Sequence, residues 1–162
     1  MAPSIHPTQF RQLLGRFATG VTVVTALDPS GRPAGMTASA LSSVSLDPPL
    51  LLVCVGREAD FHEAISAAPR FAVNVLAADQ EQLSCQFAAT GGDHFAGVAY
   101  HAGPDGVPLL DGVVATVLCD RWGKHEAGDH TVFFGLVTGG ETFERPPLLY
   151  FRSRYTTTGD SL

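Results

Sequence analysis

The sequence is poor in basic side chains, in cysteine and in long apolar runs, and each shortage excludes something. Of 162 residues ten are basic, only Lys124 among them a lysine, and sixteen acidic residues bring the net charge to −6. The remaining nine basic residues are scattered arginines, so no clustered cationic face exists to hold a phosphate backbone, and no nucleic-acid partner is expected. No apolar stretch approaches the ~20 residues that cross a bilayer, so no membrane span is expected. The opening MAPSIHPTQF has neither a basic head nor an apolar run of signal length, which predicts a soluble, cytoplasmic protein. Cys54, Cys85 and Cys119 are widely spaced and form no CxxC pair. That pattern speaks against a zinc knuckle or a disulfide framework and predicts buried free thiols. The phosphate-binding patterns GxGxxG and GxxxxGK[ST] are missing, as is the GxSxG elbow of serine hydrolases.

What is present is a chain built for a packed core, 45% hydrophobic and 16% charged, of a length that suits one domain over 1–162 with its core at about 10–155. Phe10, Leu13, Leu14 and Phe17 fall on one helical stripe, predicting a helix over about Thr8 to Phe17. Val21 to Leu27 is β-branched and reads as a strand. Asp28-Pro29-Ser30-Gly31 is a turn, and a second strand from Gly35 to Val44 completes a hairpin. Leu50 to Val55, Phe71 to Leu76, Val113 to Trp122, Val132 to Val137 and Leu148 to Phe151 are further strands. Asp60 is placed to cap a helix from Phe61 to Ala67, and Asp79 with Gln82 has capping-box spacing for a helix ending near Phe87. Ala88 to Gly97 reads as a loop. Some seven short strands with few helices predict a mainly β, largely antiparallel barrel with short helical inserts.

Two segments invite chemistry. His125-Glu126-Ala127-Gly128-Asp129-His130 is the most polar, but its histidines are five apart, which on a helix separates them by about 140°. A solvated loop joining two strands, with Asp129 in a turn, is the favoured reading, and no metal site is expected. Gly35-Met36-Thr37-Ala38-Ser39-Ala40 places small residues and hydroxyls where a strand carries bulk. Such a run either lets a backbone approach a flat polar ligand or packs tightly against the first helix, and composition does not separate the two.

The ordered motifs ATGVTVVTA, GMTASALSSVSLDPPLLLVCV, RFAVNVLAADQEQL with a following QFA, GDHTVFFG and PLLYFRSRY resemble the short-chain flavin reductase family, the reductase components of two-component flavin-dependent monooxygenases. The resemblance runs from about Phe10 to Tyr155. It implies a flavin-binding split β-barrel that forms a homodimer, with NADH or NADPH reducing FMN or FAD for a separate oxygenase. NADH is preferred to NADPH, because no basic cluster awaits a 2′-phosphate. It further implies that Thr37, Ala38, Ser39 and Ala40 lie along the flavin ring and ribityl chain and that Ser45 meets the ribityl or phosphate region. Val53, Cys54 and Val55 would line the pocket, Arg57 to Phe61 would meet the phosphate with Arg57 as charge partner, and Phe87 would lie nearby. His130 and Tyr155 would border the nicotinamide, His130 positioning the dinucleotide rather than transferring a proton.

One departure stands out: hydroxyl residues of the family's phosphate loop are replaced here by Arg57-Glu58-Ala59-Asp60, whose carboxylates repel a phosphate unless turned to solvent or used as a helix cap. The alternative within the same fold is a flavin-binding electron carrier or storage protein without NAD(P)H turnover.

Overall fold

The computed structural model describes residues 5–159. The ends of the 1–162 span, including the first four residues of the leader reading, lie outside the described residues. Helix α1 (Pro7–Leu14) precedes strands β1 (Thr19–Gly20), β2 (Thr22–Leu27), β3 (Pro33–Ala38), β4 (Leu41–Leu46) and β5 (Pro49–Gly56). Helix α2 (Phe61–Ala67), β6 (Arg70–Val75) and α3 (Glu81–Ala88) follow. The chain ends in β7 (Tyr100–Ala102), β8 (Pro108–Leu110), β9 (Ala115–Ala127), β10 (His130–Thr142), β11 (Leu148–Phe151) and β12 (Arg154–Thr157).

Seven strands form one antiparallel sheet in the order β3-β2-β6-β9-β10-β5-β4. The expected single strand from Gly35 to Val44 is two strands, and they occupy opposite edges of that sheet. Only Ser39 and Ala40 separate them, so the edges lie within about 11 Å and the sheet must curl shut. The Ala40 carbonyl accepts the Cys54 N–H at 3.1 Å, extending the β4–β5 pairing up to the crossing, but no ladder joins β3 to β4. The result is the split barrel the resemblance implied.

The barrel interior holds Val24, Val53, Val55, Phe71, Val73, Cys119 and Phe133, closed by Phe61, Ala64 and Ile65 of α2. A second apolar layer lies outside it, where Val21, Val23, Leu76, Phe87, Leu110 and Leu148 pack beneath α3 and the small sheet β1-β11-β12. Strand β2 is sandwiched between the two, which explains why VTVVTAL is apolar or β-branched throughout rather than alternating.

Several local expectations are corrected. α1 stops at Leu14, and the stripe is left largely exposed: Phe10, Leu13 and Leu14 of the helix and Phe17 just beyond it are 53–74% exposed. Gly35 to Ala38 therefore does not pack on the first helix; α3 lies against β3 instead. Asp60 sits at the N-cap of α2 without capping it, because its Oδ2 accepts the Gly91 N–H at 2.7 Å. Asp79 forms no capping box either. Its carboxylate pairs with Arg145 at 2.7 Å, and Gln80 occupies the cap position of α3. β9 and β10 are each 13 residues long, well beyond the expected strands, since their ends leave the core and lose the apolar alternation. Of the thiols, Cys119 is buried, Cys54 half-buried and Cys85 exposed.

Candidate functional site

The polar segment around His130 is a tight hairpin. Gly128, with φ 63°, takes the first central turn position, and His130 pairs with Ala127 across it. As the sequence suggested, a turn at Gly128-Asp129 joins two strands. Among the described residues no group of three or more His, Cys, Asp and Glu side chains gathers as a metal site. The hairpin docks on the end of β5: His130 lies opposite Gly56, and the Arg57 N–H donates to the Asp129 carbonyl at 3.0 Å. His130 Nδ1 is 2.7 Å from Asp129 Oδ1. That hydrogen bond first, and the charge of His130 next, holds the Asp129 carboxyl below its usual range, with Arg57 adding to the effect. The His130 ring is thereby oriented, and its Nε2 reaches over Gly56, whose missing side chain leaves the approach open. The Arg57 guanidinium is exposed and joins none of the ion pairs among the described residues.

Strand β5 runs from this corner back to the seam. Ser39 and Ala40 are exposed at the crossing and meet β5 at Cys54, three residues before Arg57, or about 10 Å along the strand. Strand alternation turns Val53 and Val55 into the core with no exposed surface, while half-buried Cys54 faces the other side. Ala38 is also buried. Ser45 pairs with Leu50, about 23 Å down the strand from Arg57, so one chain does not bring Ser45 to the arginine.

Thr37, Phe87 and Tyr155 form a separate group around α3. The Thr37 hydroxyl donates to the Ser84 carbonyl at 2.6 Å, and the Tyr155 and Ser84 hydroxyls lie 2.8 Å apart. Tyr155 also packs edge-on against Tyr150, and burial is the main cause raising its hydroxyl pKa. Phe87 is buried beneath Gly35, its ring edge-on to Phe95 at 5.0 Å. Gly35 is required by this close approach, since a Cβ there would meet the ring at 2.9 Å. Phe61, itself buried, and the Glu58–Asp60 turn face Gly35 and Phe87 across a crease of about 110 Å³ that neither Thr37 nor Tyr155 lines. The crease opens into a groove of about 800 Å³ floored by Ala34 and Gly35 and walled by Phe95 and Tyr100. Ser84 carried no mark of its own within the expected helix, and the Asp60–Gly91 bond is one that only the fold brings together.

The comparisons with known proteins agree with this architecture. The family model described as "Flavin reductase like domain" matches residues 14–159. A probable flavin reductase of Rhizobium meliloti is 45% identical over 96% of this chain, which spans 50% of that protein's length. The reductase subunit HsaB of a flavin-dependent monooxygenase of Rhodococcus jostii is 39% identical, covering 96% of this chain and 80% of that one. An NADH:FAD oxidoreductase of Streptomyces globisporus, solved with NAD and FAD fragments, superposes with a TM-score of 0.88 at 41% identity, over 96% of each chain. The chain belongs to the flavin reductase like family.

Proposed function

We propose that this chain is an NADH-dependent flavin reductase that reduces FMN or FAD and hands the reduced flavin to a separate monooxygenase. Its family membership supports the class, and relatives described as an FMN reductase (NADH) and an NADH-dependent FAD reductase support the cofactors. The observation that carries it beyond family membership is the docking of the Gly128–His130 hairpin beside Arg57. This puts an oriented imidazole and an exposed guanidinium at one corner, joined by β5 to a small-residue seam.

The residues present fit a flavin. The exposed Ser39–Ala40 seam offers a hydroxyl and backbone without bulk, and Arg57 offers a charged fork for a phosphate. When bound, the flavin accepts hydride from the reduced nicotinamide and carries both electrons away. The protein's part is placement: Ser39 and Ala40 hold the flavin's polar edge, Arg57 holds its phosphate, and His130, steadied by Asp129, holds the dinucleotide. Thr37 and Tyr155 act from behind by fixing α3 and its Phe87 wall.

The same reading makes 1–162 one domain with its core at about 10–155 and the molecule a homodimer, the latter supported by the exposed apolar stripe of α1 and Phe17. We place it in the cytoplasm, where thiols such as its free cysteines stay reduced. Among the described residues no helix is long and apolar enough to cross a membrane.

The deciding experiment follows loss of the nicotinamide absorbance band in purified protein with NADH, with and without FMN or FAD. Flavin-dependent consumption is expected. Flavin binding without turnover by NADH or NADPH would instead leave a carrier or storage protein.

A further inference from the structure

His62 lies outside every assignment made so far. It is the second residue of α2, directly after the Arg57–Phe61 loop, and its Nε2 is 2.8 Å from the Thr131 Oγ1. Thr131 follows His130 but faces the opposite way, because side chains alternate along β10, and it is wholly buried. Its hydroxyl is also 3.1 Å from both carboxylate oxygens of Glu126, its cross-strand partner on β9. The hydroxyl has one proton, and a carboxylate only accepts, so that proton goes to Glu126 and the oxygen accepts from His62 Nε2–H. The order of donation is thus His62 to Thr131 to Glu126. The ring of His62 is held edge-on to Phe133, two residues along the same face of β10, with centroids 5.8 Å apart.

This chain of bonds joins the two pieces of backbone that make the Arg57–His130 corner. One is the loop leading into α2; the other is the start of β10 directly after the hairpin. The Arg57 N–H to Asp129 carbonyl bond and the pairing of His130 with Gly56 at the end of β5 join them too. We propose that His62 is a positioning residue that, through Thr131, fixes the hairpin carrying His130 against the loop carrying Arg57. Its effect on turnover rests on the reading of His130 as the group that meets NADH; its effect on the corner's geometry does not.

The test uses isosteric pairs in the full chain. His62→Phe keeps the ring against Phe133 and loses the donor, whereas His62→Gln keeps an N–H at the matching reach. Thr131→Val removes the hydroxyl, and Thr131→Ser retains it. Hydrogen exchange at the Arg57 amide, read by NMR, reports the docked hairpin directly. Losing one net hydrogen bond should accelerate that exchange about fivefold in His62→Phe and Thr131→Val. His62→Gln and Thr131→Ser should stay near wild type. The apparent KM for NADH should rise in the first two variants while kcat and flavin affinity hold, and this rise should vanish in a His130→Ala background.

Unchanged Arg57 exchange in both His62→Phe and Thr131→Val would overturn the proposal. So would acceleration spread equally over core amides, which is general destabilisation. If His130→Ala alone leaves the NADH constant unchanged, the nicotinamide reading fails, and the Arg57 exchange still decides the role of His62.

Discussion

Replacing Gly35 by alanine tests the packing that forms the wall of the crease. The new methyl would lie 2.9 and 3.1 Å from two ring carbons of Phe87 and 3.2 Å from the Val24 carbonyl. Phe87 cannot yield easily, being 1% exposed and set against Phe95. Overpacking of this kind costs about 1–3 kcal/mol. Against it stands a gain of about 0.4–1 kcal/mol from restricting the unfolded chain, since Gly35 does not occupy the left-handed region. The balance is a net loss of about 1–2 kcal/mol. At about 2–4 °C per kcal/mol for a chain of this size, thermal unfolding followed by circular dichroism should show a fall of about 2–8 °C. Gly123→Ala is the control: it lies in β9 with nothing within 4 Å of its notional Cβ, and it should leave Tm unchanged or raise it slightly. Phe87→Leu shortens the obstructing ring, so the double variant with Gly35→Ala should lose less than the sum of the single losses, by about 1 kcal/mol. Equal Tm values for Gly35→Ala and Gly123→Ala, or strict additivity with Phe87→Leu, would refute the steric argument.

His130→Ala should raise the apparent Michaelis constant for NADH several-fold with little change in flavin affinity; an unchanged constant in steady-state assays removes His130 from the site. Leu14→Asp with Phe17→Asp places charge on the exposed apolar stripe at the end of α1 and just beyond it and should convert a dimer to a folded monomer in sedimentation velocity. Persistence of the dimer would locate the interface elsewhere. Burial, and then Asp120, push the Cys119 thiol up to about 12 from 9.0. The unfolded chain therefore gives up this proton first, and the stability linked to it, complete below pH ~9, is lost as pH rises toward 12. Denaturant titrations should show the gap between wild type and Cys119→Ala narrowing by up to about 1.4 kcal/mol per pH unit in that window, and a gap that stays constant would contradict the assignment.

The barrel was legible where side chains report burial and hidden where backbone geometry decides. Strand β2 announced itself because it is buried on both faces, and the β2–β3 hairpin because Asp28 supplies the turn: its carboxylate accepts from Ser30 and Arg32. The break at Ser39–Ala40 left no such mark. Small residues continue smoothly from β3 into β4, and only closure of the sheet shows that the two strands lie at opposite edges. The ends of β9 and β10 read as loop because a ribbon that projects from the core loses the alternation on which strand recognition depends. Among the candidate site residues, closeness in space follows strand register rather than motif order. Arg57 and His130 meet because register puts Gly56 opposite His130. Ser45, in contrast, shares a motif with the seam but lies toward the other end of β5, a separation that motif order does not encode.

The acidic replacements in the Arg57–Asp60 loop bear on how firmly a flavin phosphate is held. Asp60 neither caps α2 nor stands free: by accepting the Gly91 N–H it ties the 88–97 loop to the rim of the crease. Its charge is thus spent on a backbone dipole, whereas the hydroxyls it replaces could have donated to an oxyanion. Glu58 is exposed and adds no donor. The cation that remains, Arg57, shares its field with Asp129, whose carboxyl it helps to keep ionised. On the proposed reading, one partly compensated arginine would hold a phosphate only weakly. Asp60→Thr restores a hydroxyl and releases Gly91, so FMN should bind more tightly while the 88–97 loop exchanges its amides faster. Tighter FMN binding without faster exchange at Gly91 would mean that the carboxylate acts by charge alone and the tie contributes nothing.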